Sequence, residues 1–388
     1  MNRVKHPPKR DCMVIADYPI KMELDNNRFF SSVTHLELID KLQKAGIKKS
    51  NCFYTYLSME RPDKEDNPDF INDFAKEKDL FTQLTEERKV ITVNENGKEF
   101  FCIDEEKKLY ISKQLAEQVN AVFIEIEKVK PKLVILMGKW SLFFLCNEIS
   151  YTNTRSTKKT YKPFGSLLTH RASVMPLADN KRIKRDTVVI PILPIIAGQR
   201  MPQKKPIIYW DIKKCGEIYK DLKATSNFSK YIRTSYNFTI SLDYNVIIAG
   251  LIKIAKKLQT NSCLVSVDIE TKHSIIDCFS ITLNTDYTLW VPLATEFDPN
   301  IWSLEQETII IYYSKYILQH PNSIIIGQNF SYDAQYFFRD YLIKTIANLD
   351  SMIMQHVLYN TMPKSLDFLA SVFIPNYTYW KGMQTHEK

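Results

Sequence analysis

From Ser262 to Lys272 the sequence SCLVSVDIETK alternates apolar and polar residues with a period of two. That pattern fits a half-buried β-strand, because successive side chains of a strand point to opposite faces. Val265, Val267 and Ile269 then share one face, and Asp268 and Glu270 share the other. Two carboxylates stand about 7 Å apart on one side of the strand, an unfavourable arrangement unless cations lie between them. Magnesium or manganese, hard ions that take carboxylate oxygen and water, are the natural occupants. An ordinary strand with an acidic solvent face satisfies the same pattern, so the Asp-x-Glu alone leaves both readings open.

The surrounding elements narrow the choice. The periodicity predicts a helix at 244–258, strands at 263–270, 275–283 and 287–293, a helix at 304–319, a strand at 323–327, a helix at 331–342 and two more helices up to Phe373. In IIIGQNFSYDAQYFF the buried strand ends at Gly327, Asn329 sits at or just before a helix cap, and Asp333 falls in the first turn. The helix dipole stabilises an acid there with or without a metal. The third segment is LDSMIMQHVLY, leading into PKSLDFLASVF.

Taken together, these segments resemble the 3′-to-5′ exonuclease domain of family A DNA polymerases, of the bacteriophage type, with its RNase H-like mixed sheet. Asp268 and Glu270 match the first motif, Asn329 and Asp333 the second, and Asp350, Ser351 and Met352 the helix after the last core strand. The resemblance implies phosphodiester hydrolysis with two divalent ions, Mg2+ or Mn2+, about 4 Å apart, one activating water and one stabilising the leaving oxyanion. Asp268, Glu270 and Asp333 would be the catalytic metal ligands, and Asn329 would fix the substrate. Tyr332, Tyr336 and Phe337 are candidates for stacking on the bases of a single-stranded 3′ end, although their helical spacing also suits a core. The family's third motif, a Tyr or His four residues before an Asp, has no good match: Tyr359 lacks an Asp four on, and Asp367 follows Pro363. Asp350 and Asp367 read as structural or capping carboxylates. The domain is thus expected to be C-terminally incomplete and to show weak or no nuclease activity alone. A fragment, a split polymerase gene whose second chain supplies the missing motif, and a domain kept only for binding all remain open.

The first part of the chain reads differently. Short β-rich runs at 12–16, 51–57, 132–138 and 188–193 alternate with helical stretches such as Thr34 to Ala45 and Leu109 to Lys130, predicting a three-layer α/β domain with a mostly parallel sheet. It closes near a helix at 209–222, and the polar segment 223–240 reads as a linker. The expected division is 1–225 and 226–388. Several segments resemble the uracil-DNA glycosylase superfamily: IADYP, with Asp17 and Pro19; NRFFSSVTHLELIDKLQKAGI, with Phe30 where the family stacks on uracil; TYLSMERP; PKLVILMG; and LPIIAGQRMP through WDIK. Ile195 to Gly198 stand, shortened, where the resemblance puts the family's catalytic His loop, and His35 and His170 are the nearest other histidines. The resemblance therefore implies a degenerate pocket and a non-catalytic DNA-binding module.

A formal net charge of +8 is a mild bias toward a polyanion. The basic segments Lys158 to Lys162, Lys181 to Arg185 and Arg200 to Lys205 are candidates for phosphate contact. Seven cysteines, with no close pair at zinc or redox spacing, read as reduced thiols. No apolar run approaches a membrane span and the basic N-terminus lacks a signal-type apolar region, so a cytoplasmic location, viral or bacterial, is expected. The function expected is a proofreading nuclease unit of a replicative DNA polymerase. The alternatives are a uracil-DNA glycosylase with an inactive nuclease domain and a non-catalytic subunit of a split polymerase.

Overall fold

The runs CMVIA, CFYTY, LVILM and VVIP form the strands β1 (Cys12–Ala16), β2 (Cys52–Tyr56), β8 (Leu133–Met137) and β10 (Val188–Pro191) in the computed structural model. They lie parallel in the order β2-β1-β8-β10, with the short β9 (Met175–Pro176) antiparallel at the edge. Every residue of β1, β8 and β10 is buried, as expected for a parallel sheet covered on both faces. On one face Met13, Ile15, Val134 and Leu136 pack with Leu115, Val122 and Ile126 of α3 (Lys113–Val129) and with Trp140 and Leu142 of α4 (Lys139–Cys146). On the other face lies α7 (Lys205–Thr225), its Cys215 near Cys12. Helix α7 meets α2 (Val33–Lys44) so closely that a Cβ on Gly216 would stand 2.1 Å from the Ala45 carbonyl oxygen.

The structure describes residues 3–61, 73–76, 79–84, 90–104, 109–146, 167–177, 186–232, 237–295, 298 and 300–379. They fall into two compact units, one drawn from Met1–Arg233 with Ala370–Lys388, the other from Thr234–Leu369. The first unit also contains the short helices α1 (Lys21–Asp25), α5 (Leu167–His170), α6 (Ile195–Arg200) and α8 (Ser229–Ile232). Among the described residues no helix is long and apolar enough to cross a membrane.

One part of the first unit departs from the sequence reading. Strands β3 (Phe74–Lys76), β4 (Phe81–Leu84), β5 (Val90–Val93), β6 (Glu99–Asp104) and β7 (Leu109–Ser112) build a separate antiparallel sheet in the order β3-β7-β6-β5-β4. Residues 109–112, read from sequence as the start of a helix, are its strand β7, with Ile111 opposite Phe101. Ser112 decides the boundary. Its hydroxyl accepts the Leu115 N–H at 3.2 Å and starts α3 only at Lys113.

In the second unit the order β11-β14-β13-β12-β15-β16 makes one mixed sheet. Its strands are β11 (Phe238–Thr239), β12 (Cys263–Lys272), β13 (Ile275–Leu283), β14 (Tyr287–Pro292), β15 (Ser323–Gly327) and β16 (Leu349–Asp350). The meander β12-β13-β14 is antiparallel, whereas β15 joins β12 in parallel after the crossover helix α10 (Leu304–Gln319). Ser303 and Gln306 close a capping box at the start of α10. Helices α9 (Tyr244–Thr260), α11 (Ser331–Tyr341) and α12 (Ser351–Leu358) stand where the sequence places them, whereas β11 falls in the segment read as a linker and β16 was not expected; α13 (Leu366–Phe373) begins in the second unit, and its residues from Ala370 on belong to the first. Val265, Val267, Phe279, Ile281, Leu289, Ile325 and Phe337 meet in one core.

Candidate active site

The alternation in β12 is realised residue by residue: Val265, Val267 and Ile269 are buried, and Asp268 and Glu270 are exposed. After Glu270 the ladder to β13 slips, because Glu270 faces Cys278 while Thr271 faces Ile276. This bulge leaves Asp277 without a partner in the register, and bulges bend a strand and re-aim its side chains. On the other side the parallel ladder to β15 ends at the Ser266 and Ile326 pair. Beyond it the Ile269 N–H donates to Asp333 Oδ1 at 3.0 Å. The side chain of Asp333, in the first turn of α11, thus reaches the strand between Asp268 and Glu270.

Asp333 is 5% exposed. Burial pushes its carboxyl up to about 6, with the negative charges of Asp268 and Asp350 adding to the rise and the Ile269 N–H opposing it. A buried acid facing other acids is what a bound cation would relieve.

The turn that delivers Asp333 depends on close contacts. A Cβ on Gly327 would lie 2.5 Å from the Phe330 ring, so only glycine lets Phe330 fold back there. Asn329 adopts φ +58, the left-handed region that Asn tolerates better than most residues. Asp350 holds both ends of the arrangement. Its carboxylate accepts N–H bonds from Asn329 at 3.1 Å and Phe330 at 2.8 Å, and from Met352 at 2.8 Å and Ile353 at 3.3 Å at the start of α12. Burial alone would raise its pKa, but these four N–H groups prevail and hold it below the usual carboxylate value. Asp350 is therefore a capping carboxylate, and its hold on the turn ahead of α11 was not visible in the sequence.

Of the three aromatic candidates, Tyr332 is exposed, with its hydroxyl 3.1 Å from Thr271 Oγ1. Tyr336 is half-buried, its ring 4.8 Å from that of Tyr332. Phe337 must be withdrawn as a substrate contact: it is fully buried, edge-on to Phe279 at 5.5 Å. The helical period places it on the core face, one residue beyond Tyr336. The Asn329 side chain is exposed at the mouth of the turn.

The donor set of Asp268, Glu270 and Asp333 is oxygen only, which suits a hard divalent ion. Among the described residues no group of three or more His, Cys, Asp or Glu side chains is already drawn together for a metal.

The glycosylase-type residues are arranged otherwise. Phe30, expected to stack on a base, is buried, with its ring stacked against His35 at 4.3 Å and Tyr56 at 4.9 Å. Beneath it the buried Glu23 carboxylate takes His35 Nδ1 at 2.6 Å, the Tyr56 hydroxyl at 2.7 Å and the Ser32 N–H at 3.0 Å. The Phe30 ring thus already has the chain's own His35 and Tyr56 as stacking partners. Asp17 accepts the N–H groups of Trp140 at 3.2 Å and Ser141 at 2.8 Å and the Ser141 hydroxyl at 2.8 Å, so it caps α4, with Pro19 buried nearby in sequence. Its carboxylate covers Gly138, where a Cβ would come within 2.1 Å. Burial pushes Asp17 up to about 6 against those hydrogen bonds. His170 is buried too, and burial lowers its pKa. Of the basic segments, 200–205 is mostly exposed at the junction of α6 and α7, whereas Lys158 to Lys162 and Lys181 to Arg185 lie outside the described residues, as does Pro62 of TYLSMERP.

Residues 247–387 match the family model described as 3′-5′ exonuclease. Solved structures similar to the chain include the catalytic core of RRP6 from Trypanosoma brucei, 18% identical, covering 43% of this chain and 45% of that one with a TM-score of 0.31. The EXD2 exonuclease domain soaked in Mn and GMP is 15% identical over 37% of this chain and 71% of that one, with a TM-score of 0.24. Escherichia coli RNase D, an exoribonuclease involved in structured RNA processing, is 12% identical over 34% of this chain and 36% of that one, with a TM-score of 0.22. This chain thus spans less than half the length of the RRP6 core. A search of the curated proteins finds no match.

Proposed function

We propose that the chain is a proofreading-type 3′-to-5′ exonuclease module of a DNA polymerase, of bacteriophage type, that removes nucleotides from single-stranded 3′ ends of DNA. The observation that carries this reading is the Asp333 carboxylate seated on β12 between Asp268 and Glu270. Asp268, Glu270 and Asp333 would hold Mg2+ or Mn2+. Such ions, when bound, supply Lewis-acid activation of water and charge stabilisation for phosphodiester hydrolysis. Asn329 at the turn and the rings of Tyr332 and Tyr336 would orient the terminal nucleotides, since base stacking on aromatics tolerates any sequence. Asp350 positions the turn and takes no part in the chemistry. The residues after Asp350 include one further aspartate, Asp367, with Pro363 four places before it, so these residues offer no water-orienting Tyr at that spacing.

In this reading the first unit is a glycosylase-like DNA-holding module without glycosylase activity. The parallel sheet supports the likeness in architecture, and the stacked Phe30 ring and the capping role of Asp17 support the loss of chemistry.

The test uses a 5′-labelled single-stranded oligonucleotide with the purified chain in Mg2+ or Mn2+, with and without a polymerase chain carrying a Tyr-x-x-x-Asp motif. Stepwise shortening from the 3′ end is expected with the polymerase chain present, and weak or no shortening without it, and it should be abolished by EDTA and by Asp268→Ala. Shortening that persists unchanged in Asp268→Ala would sink the assignment of the site.

A further inference from the structure

Along the outer side of α11, beyond Tyr332 and Tyr336, stands Arg339. Its guanidinium carbon lies 4.3 Å from the centre of the Tyr336 ring. Nε and Nη2 bind the Asp340 carboxylate at 2.6 and 2.9 Å, and Nη2 also donates to the Ser274 carbonyl oxygen. Ser274 and His273 form the turn between β12 and β13, both with positive φ, +65 and +49. The arginine is thus immobilised on three sides by a ring, a carboxylate and a turn. The side chain is nevertheless 47% exposed. Lys272 and His273 are exposed on the same turn.

A guanidinium held over an aromatic ring and half open to solvent is pre-organised for phosphate, because its planar fork matches phosphate oxygens and little rotamer freedom is left to lose. The spacing suits a strand. Asp333, Tyr336 and Arg339 follow one another at three-residue intervals, about 4.5 Å of rise each, on one side of the helix. Alternating rings and cations are how proteins follow single-stranded nucleic acid without reading its sequence.

We propose that Tyr336 and Arg339, with Lys272 and His273 beside them, form a track for the single-stranded DNA behind the terminal nucleotide, Arg339 binding a backbone phosphate. This inference rests on the exonuclease reading for the polarity of the strand, but it concerns binding and is tested without cleavage. The measurement is fluorescence anisotropy of a labelled ten-nucleotide oligothymidylate with the full chain in Ca2+ at several salt concentrations, with thymidylyl-thymidine as a short competitor. Arg339→Gln is expected to weaken binding of the ten-mer several-fold and to reduce the slope of log affinity against log salt by about 0.7, the amount for one phosphate contact on a single strand. Tyr336→Ala is expected to cost about 5-fold or more. The dinucleotide should compete equally well for wild type and Arg339→Gln.

Asp340→Asn separates this role from a purely structural one. It removes a negative charge beside the bound phosphate and leaves the guanidinium its Tyr336 and Ser274 contacts, so affinity should hold or rise. An equal loss in Asp340→Asn and Arg339→Gln, an unchanged salt slope, or no binding by the wild type would each overturn the proposal. Binding with the expected slope in a chain that cleaves nothing even with the polymerase chain added would uphold the track and count against the exonuclease reading. Cleavage with Arg339→Gln binding like wild type would do the reverse.

Discussion

Asp333 and Ile269 are joined by a 3.0 Å hydrogen bond from the strand N–H to the helix carboxylate, just past the point where the ladder between β12 and β15 ends. The bond satisfies a backbone donor that the diverging strands abandon, and it also brings a third acid to the face that carries Asp268 and Glu270. One contact therefore serves fold and site together.

The pH dependence of the metal-free chain follows from it. The folded-state pKa of Asp333 is raised above its ordinary value of 3.8 to about 6, first by burial and then by Asp268 and Asp350. A group of this kind contributes stability that is fully present below 3.8 and lost as pH rises through about 6. In EDTA, the second unit should lose thermal stability across that window, and Asp333→Asn should flatten the loss. A midpoint whose pH profile is the same in both proteins would contradict this.

Gly327→Ala should destabilise the second unit by about 1–3 kcal/mol, the usual cost of overpacking. The added Cβ would meet the Phe330 ring at 2.5 Å, and Phe330 is almost fully buried. Chemical denaturation measures the cost. Because Phe330 precedes Ser331 at the start of α11, metal-dependent hydrolysis should fall as well.

Incubation with a uracil-containing oligonucleotide should release no free uracil. Phe30 is already stacked on His35 and Tyr56, and the Asp17 carboxylate is engaged at the start of α4. Uracil release that Asp17→Asn abolishes would restore the glycosylase reading.

Arg171→Ala should unfold or severely weaken the first unit, by about 3–5 kcal/mol, the range for breaking one side of a buried ion pair. Arg171 and Asp211 are each 1% exposed and pair at 3.0 Å, and the same nitrogen of Arg171 reaches Ser371 Oγ at 3.0 Å. Lys214 adds bonds to the carbonyls of Ser371 and Ile374 at 3.1 and 2.8 Å. Denaturant midpoints of Arg171→Ala and Ser371→Ala would show whether the chain's later residues stabilise this unit, with a much smaller loss expected for Ser371→Ala.

By itself the sequence determined most elements of the second unit and the facing of its strand carboxylates. The period of two from Val265 to Glu270 and the apolar helical pattern in residues 304–319 are local signals, set by the geometry of one strand or one helix. The short strands β3 to β7 were not legible, because pieces of three to six residues carry too few periods to be told from loop or helix start. Only the tertiary structure decided what the single polar residues do. It put Phe337 in the core, Asp350 under two helix starts, Asp17 over Gly138, and Phe30 among its own neighbours. It also set Ser371 against Arg171 across 200 residues. Those outcomes depend on which distant groups are buried together, where an unsatisfied N–H or an uncompensated charge is costly. A pattern of spacing along the chain does not carry that information.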